Sequence, residues 1–182
     1  PVPVCGINMG TLGFMADIEQ NELESRLESI CAGDYHIEWR RFLAGFVTKP
    51  DGAEHFLGLA INDIVVMKGD PARIISLGLA VNETPLVECK ADGFIVASPT
   101  GSTAYSLSAG GPIINPMVKG LVLTPICPHT LNIRPLIIRE QDVVHIHLLD
   151  TRQSIIVTLD GQETTPIHPD DTVTVKCSDV GA

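Results

Sequence analysis

The 182-residue chain lacks any apolar run of the roughly 18 residues that a membrane-spanning helix needs. Its most apolar stretch, residues 113–127, is broken by Asn115, Pro116, Lys119 and Pro125. No charged-then-apolar segment opens it, so no secretory signal is expected. Positive charge is scarce, with 12 Lys and Arg against 22 Asp and Glu and a formal net charge of −10. Nucleic acid and anionic membranes both need compensating basic patches, so this balance argues against either as a partner. A phosphate-rich ligand would have to be held by local donors or by a cation. The five cysteines (Cys5, Cys31, Cys89, Cys127, Cys177) are odd in number, far apart and free of any Cys-x-x-Cys pair. That indicates neither a disulfide frame nor a zinc cluster, and it fits reduced thiols in a cytoplasmic protein. The chain also lacks a Gly-x-x-x-x-Gly-Lys-Ser/Thr loop and a Gly-x-Ser-x-Gly elbow, which sets aside a P-loop enzyme and a serine hydrolase.

What is present is a packed globule. Hydrophobic residues make up 45% and charged residues only 19%, a balance that argues against disorder. One helix is predicted from Asn21, with Glu24 completing a capping-box pattern and Leu23, Leu27, Ile30 and Cys31 at helical spacing, ended by Gly33. Val2 and Val4 alternate as a strand would. Val-, Ile- and Leu-rich runs then follow at 35–48, 56–67, 74–81, 85–89, 94–97, 121–126, 143–149, 155–159 and 172–177. Pro50-Asp51-Gly52 separates the first two as a hairpin loop would, and the other breaks are Gly, Pro, Asn and Asp clusters. The expected fold is mostly β, a layered β-sandwich-like domain with two short helices.

The most informative segment is residues 92–112, Asp-Gly-Phe-Ile-Val-Ala-Ser-Pro-Thr-Gly-Ser-Thr-Ala-Tyr-Ser-Leu-Ser-Ala-Gly-Gly-Pro. A buried-strand pattern runs through a Pro-Thr-Gly-Ser-Thr turn into a short stretch with helical potential. Thr100, Ser102 and Thr103 set hydroxyls and free backbone N–H groups where a helix begins, a position that favours hydroxyl-rich or anionic ligands. Local chemistry alone favours a capped helix start, since Ser or Thr before a helix is usually an N-cap. Asn62 and Asp63 interrupt the apolar run 56–67, and two buried polar neighbours need partners. Vicinal hydroxyls of a ligand would suit an amide beside a carboxylate; a strand end or bulge is the competing account. Asp92 before Gly93 also reads as a turn. His145 and His147 share a strand face with no carboxylate or cysteine to complete a metal set, so a solvent-facing pair is expected.

The segment 92–112 resembles the signature of the NAD kinase family, and three further stretches agree in order. These are Gly-Ile-Asn-Met-Gly-Thr-Leu-Gly-Phe at 6–14, Ala-Ile-Asn-Asp-Ile-Val at 60–65 and Pro-Ile-Cys-Pro-His-Thr-Leu-Asn-Ile-Arg-Pro-Leu at 125–136, with a weaker echo at Asp160-Gly161-Gln162. The resemblance implies a substrate-binding domain that takes NAD, with ATP or polyphosphate as phosphoryl donor and Mg2+ (or another divalent metal) beside the ATP. Asn62 and Asp63 would hold the ribose whose 2′-hydroxyl is phosphorylated; many members carry glutamate at the second position. Asp92 would contact the base or amide of NAD, with Lys90 and Arg73 near phosphate or a neighbouring subunit. Thr100, Thr103, Ala104, Tyr105, Ser106, Leu107 and Ser108 would line the nucleotide, and the Tyr105 ring offers stacking to a base. Gln162 matches a further ligand position, and His129 a structural one.

Family members carry a Gly-Gly-Asp-Gly-Thr motif whose aspartate is regarded as the catalytic base, and nothing in these 182 residues reads Gly-Gly-Asp-Gly. The expectation is therefore an excised domain that is inactive alone. Residues 1–16 would close a missing N-terminal α/β domain and 17–182 would form the β-rich NAD-binding domain. The family usually assembles, and a mean hydropathy of +0.24 fits a homodimer or homotetramer. A lipid kinase of the diacylglycerol or sphingosine type, and a non-catalytic nucleotide-binding module, are the competing readings.

Overall fold

The computed structural model describes residues 3–10, 16, 18–70, 72–130, 132–149 and 154–182. Val2, residues 11–15 of the Gly-rich stretch and Leu131 of the 125–136 stretch lie outside them. The chain divides into two compact units, Pro1–Arg40 with Ala182, and Arg41–Gly181.

In the first unit, strand β1 (Ile7–Asn8) pairs in parallel with β2 (Ile18–Glu19), and a 3-10 turn at Gln20–Glu22 runs into helix α1 (Leu23–Cys31). Asn21 does not cap this helix. The 3-10 turn carries Asn21 into helical backbone, Glu22 takes the cap position, and neither Glu19 nor Glu22 makes a side-chain cap bond. The C-terminus is as expected. Gly33 adopts φ +81°, and the N–H groups of Ala32, Gly33 and Asp34 return to the carbonyls of Glu28, Ile30 and Ser29. Residues 35–40, expected in a strand, stay outside one, and Tyr35, Ile37 and Trp39 are exposed. Arg40 exchanges two backbone hydrogen bonds with Ala182.

The second unit is a sandwich of two six-stranded sheets. Its strands are β3 (Arg41–Thr48), β4 (Glu54–Ala60), β5 (Asp63–Lys68), β6 (Ile75–Val81), β7 (Thr84–Ala91), β8 (Gly93–Ala97), β9 (Gly120–Ile126), β10 (Leu136–Arg139), β11 (Val144–Leu148), β12 (Ile155–Leu159), β13 (Glu163–Ile167) and β14 (Thr172–Gly181); a 3-10 turn at Thr100–Thr103 and a one-turn helix α2 (Tyr105–Ser108) follow β8. One sheet has the order β10-β9-β8-β5-β12-β13 and the other β4-β3-β14-β11-β6-β7. Every ladder of the sandwich is antiparallel.

The facing surfaces make one core. Ile64, Val66, Phe94, Val96, Leu121, Leu123, Ile155 and Val157 from the first sheet meet Leu43, Val47, Leu77, Leu79, Val144, Ile146, Val173 and Val175 from the second. The first sheet is also covered on its outer face. Val65, Ile95, Ala97, Val122 and Ile126 form a second cluster there, with Ala109 and Ile114 packed on it. This double burial explains why β5, β8 and β9 read as unbroken apolar runs, whereas β11 alternates Val-His-Ile-His-Leu.

The apolar run 56–67 is two strands. Chain and sheet change between Ala60 and Asp63: β4 ends on an edge of the second sheet and β5 starts inside the first. Asn62 and Asp63 stand at that crossing, which a continuous hydrophobic pattern conceals. The edge strands β10 and β13 were not expected either; Pro135 and Pro166 disguise them, and edges tolerate proline.

Candidate functional site

Three strand ends converge at one end of the first sheet. β5 starts at Asp63, paired with Ala97 at the end of β8, and Ile64 pairs with Leu159 at the end of β12. The chain leaves β8 into Ser98 and the Thr100–Thr103 turn, and leaves β12 into Asp160-Gly161. Asn62 and Asp63 therefore lie between two turns, both rich in hydrogen-bonding groups.

The Asp160 side organises the backbone. Its carboxylate accepts the N–H groups of Ile61 at 2.8 Å, Asn62 at 2.8 Å and Asp63 at 3.0 Å. Its own N–H donates to the Asp63 carbonyl at 3.0 Å. Asp160 (φ +48°) and Gly161 (φ +66°) both adopt left-handed backbone, which turns the carboxylate back over β5.

The β8 side closes from the opposite direction. Ser98 N–H donates to the Asn62 carbonyl at 2.8 Å, and its hydroxyl donates to the Ile61 carbonyl. Gly101 N–H then donates to that hydroxyl at 3.1 Å. Gly101 lies flat on Asn62, where any side chain would collide with backbone. Ser102 ties the turn to the following segment, its hydroxyl donating to the Pro99 carbonyl at 2.7 Å and accepting Ile114 N–H at 3.2 Å. The Ser106 and Thr124 hydroxyls bond at 2.8 Å and fix α2 to β9.

These contacts leave Asp63 buried at 4% exposure and Asn62 half-buried. Burial pushes the Asp63 carboxyl up to about 6, the Asp160 charge adds to the rise, and the Tyr105 backbone N–H directed at it partly offsets both. Thr103 and Ala104 are half-buried, Tyr105, Leu107 and Ser108 are exposed, and Thr100 and Ser106 are buried. Gln162 is exposed on the β12–β13 turn. So Asn62, Asp63, residues 100–108 and the Asp160–Gln162 turn are gathered round one sheet end.

Arg73, Lys90 and Asp92 belong elsewhere. Asp92 precedes β8 and pairs with Lys68 at 2.8 Å, at the far end of β5. Lys68 and Asp63 stand at opposite ends of the six-residue β5, about 17 Å apart along the strand. Lys90 is exposed on β7 and its carbonyl accepts His129 N–H at 2.8 Å. Arg73 is exposed and stands 3.7 Å from Asp70. Within one chain these three do not join the Asp63 cluster.

The histidine pair is not simply solvent-facing. Both side chains are half-buried on the sheet: His145 Nδ1 lies 3.0 Å from Thr174 Oγ1, and the His147 ring covers Gly78, the residue across the ladder. A residue without a side chain on β6 makes room for an imidazole. Among the described residues no three His, Cys, Asp or Glu side chains group as a metal site. None of the described helices is long and apolar enough to cross a membrane. Asp160, Ser98 and Gly101 are the members of the cluster that residue chemistry did not single out. Asp-Gly reads as a turn, and nothing in that dipeptide reveals a strand a hundred residues earlier.

Residues 61–181 match the ATP-NAD kinase C-terminal domain family. The NAD kinase of Heliobacterium modesticaldum is 45% identical over 179 residues, covering 98% of this chain and 63% of that protein. Among solved structures, the yeast NADH kinase complexed with NADH superposes with a TM-score of 0.87 at 30% identity, covering 99% of this chain and 51% of the other. An NAD kinase from Archaeoglobus fulgidus in complex with ATP gives 0.81 at 29% identity, covering 99% and 67%. The chain thus spans about three-fifths of the length of the curated relatives it matches. With its sandwich, its strand-crossing Asn-Asp pair and its Pro-Thr-Gly-Ser-Thr turn all in that frame, this chain belongs to the NAD kinase family, as its C-terminal domain.

Proposed function

We propose that the whole protein transfers the γ-phosphoryl of ATP (or a phosphoryl of polyphosphate) to the adenosine 2′-hydroxyl of NAD, giving NADP. The observation that carries this reading is the junction at the start of β5. A buried carboxylate and its neighbouring amide meet a turn of hydroxyls and small residues, in a chain of this family. Asn62 and Asp63 hold the ribose, Asp63 accepting from its O–H groups. Thr100, Thr103, Ala104, Tyr105, Ser106, Leu107, Ser108 and Gln162 line the dinucleotide. Ser106 serves through its backbone, since its hydroxyl is engaged by Thr124.

The chemistry asked of these residues is positioning. Holding the acceptor oxygen in line with a phosphoryl group supplies much of the acceleration in such reactions. The catalytic base would belong to the family's Gly-Gly-Asp-Gly-Thr segment, which these 182 residues do not carry. A divalent cation such as Mg2+ bound with the donor phosphates would offset their charge.

Arg73, Lys90 and Asp92 act on a neighbouring protomer's nucleotide in a homodimer or homotetramer. Their separation from Asp63 within one chain supports that arrangement. The five free cysteines support a reducing compartment, the cytoplasm.

The test is an assay of the full-length protein for NADP formation from NAD with ATP or polyphosphate and Mg2+, with diacylglycerol and sphingosine as competing acceptors. NADP formation is expected. Lipid phosphorylation without NADP overturns the reading in favour of a lipid kinase, and binding of NAD with no phosphoryl transfer overturns it in favour of a binding module.

A further inference from the structure

Asp160 faces Asp63 directly across the β12 edge of β5, where like charges ordinarily destabilise an antiparallel pair. The arrangement persists because Asp160 is the better solvated by the protein. Three successive backbone N–H groups converge on its two oxygens, whereas among the described residues the Tyr105 backbone N–H is directed at Asp63. Three N–H groups in a row cannot point to one side of a regular strand, where they alternate. The carboxylate therefore gathers these groups where Ile61 and Asn62 lie outside strand geometry, between β4 and the start of β5 at Asp63.

We propose that Asp160 is a positioning residue: by gathering the N–H groups of Ile61, Asn62 and Asp63 it shapes the crossing that aims the Asn62 and Asp63 side chains at the acceptor ribose. This rests on the NAD kinase reading for its kinetic consequence, and on the hydrogen bonds alone for its structural one. A second effect follows from the same geometry. The charge of Asp160 contributes to the raised Asp63 carboxyl. From the β8 side the described neighbours of Asp63 are neutral: Ala97, its partner in the ladder, and the Tyr105 N–H at the start of α2.

The experiment uses the full-length protein with Asp160→Asn, Asp160→Ala and Asp63→Asn. Steady-state kinetics are taken for NAD and ATP from pH 5 to 8, and the Asp63 carboxylate is titrated by carbon NMR, assigned by its absence in Asp63→Asn. Asp160→Ala is expected to lower kcat/KM for NAD by about ten- to a hundredfold while KM for ATP changes less than about twofold, the signature of a misplaced acceptor. Asp160→Asn keeps an acceptor oxygen without the charge. It should lose less activity and titrate Asp63 at a lower pH, moving the acid limb of kcat/KM for NAD the same way.

A role confined to folding would lower the melting temperature of both variants and leave kinetics per folded molecule and the Asp63 midpoint unchanged; that outcome overturns the proposal. Should Asp160→Ala fail to fold, Asp160→Asn decides alone. Should the unsubstituted protein make no NADP, the kinase reading fails. The NMR midpoint and the amide shifts of residues 61–63 in Asp160→Asn then decide the positioning role, with unchanged values overturning it.

Discussion

A Cβ on Gly101 would stand 2.0 Å from the carbonyl oxygen of Asn62 and 2.6 Å from its Cα. Both atoms are backbone, so no side chain could swing aside to make room. The Asn62 carbonyl is already engaged by Ser98 N–H at 2.8 Å. Gly101→Ala must therefore push the Thr100–Thr103 turn off the β5 crossing. Overpacking of this kind costs about 1–3 kcal/mol, so a lower urea midpoint is expected. Activity should fall further than stability, because the displaced segment carries the nucleotide-lining residues. A melting temperature within a degree of the unsubstituted protein, with full NADP formation, would show that the turn is free to move.

The Ser106 and Thr124 hydroxyls bond to each other at 2.8 Å, and both residues are at 0% exposure. Removing one strands its partner. Ser106→Ala and Thr124→Val should each cost about 1–3 kcal/mol, the penalty for a buried polar group left without a bond. The double substitution should cost clearly less than the sum, since no orphan remains. Urea unfolding of the three variants measures this coupling, and strict additivity would mean that each hydroxyl has another partner.

Much of this architecture was legible in the residues. Val-, Ile- and Leu-rich runs separated by Gly, Pro and Asp marked most of the sandwich, and Gly33 and Pro50-Asp51-Gly52 marked their turns. The failures have a common cause. Asn21 looked like a helix cap because its type and spacing were right, but a preceding 3-10 turn moved the cap by one residue. The run 56–67 looked like one strand because hydrophobicity continues across a change of sheet that only tertiary pairing defines. Asp160 was invisible as a site residue for the same reason: its three partners are 97 to 99 positions away. Local pattern reports which residues are buried, and not which strands they meet.

Asp142 provides a stability switch remote from Asp63. Its buried carboxylate accepts Arg139 Nη2 at 2.7 Å, Arg139 N–H at 2.9 Å and Asn82 Nδ2 at 2.8 Å, clasping the β6–β7 turn to the loop before β11. The Arg139 and Asn82 bonds hold the Asp142 carboxyl down to about 2, below its ordinary 3.8. A depressed value means that the folded state binds fewer protons than the unfolded chain in that interval. The stabilisation is therefore complete above pH 4 and is lost as pH falls toward 2. Asp142→Asn should be less stable at neutral pH and show a shallower loss between pH 4 and 2. Chemical unfolding across that range checks it; parallel curves for the two proteins would mean that another carboxylate governs the acid limb.

Asp63 has the opposite sign, which separates its functional role from a scaffold role. Its carboxyl is raised to about 6 from an ordinary 3.8, so the folded state binds more protons than the unfolded chain between those values. Stability contributed by this group is full below pH 4 and declines as pH rises through 6, then stays level. Ionised Asp63 thus weakens the fold at the pH where a carboxylate would be needed to accept ribose hydroxyls, a trade expected where a site is selected for activity. Asp63→Asn should raise the melting temperature at pH 7.5 and flatten the decline between pH 4 and 6. In the full-length enzyme, Asp63→Ala should cost about 1.5–3 kcal/mol of transition-state stabilisation, about ten- to a hundredfold in kcat/KM for NAD. Asp63→Glu keeps the carboxylate and should retain far more activity. Melting temperature and kcat/KM measured on the same preparations decide between the roles. A more stable but crippled Asp63→Asn protein marks a ligand-binding carboxylate, whereas a less stable one with unchanged activity per folded molecule marks a residue that only holds the sheet crossing together.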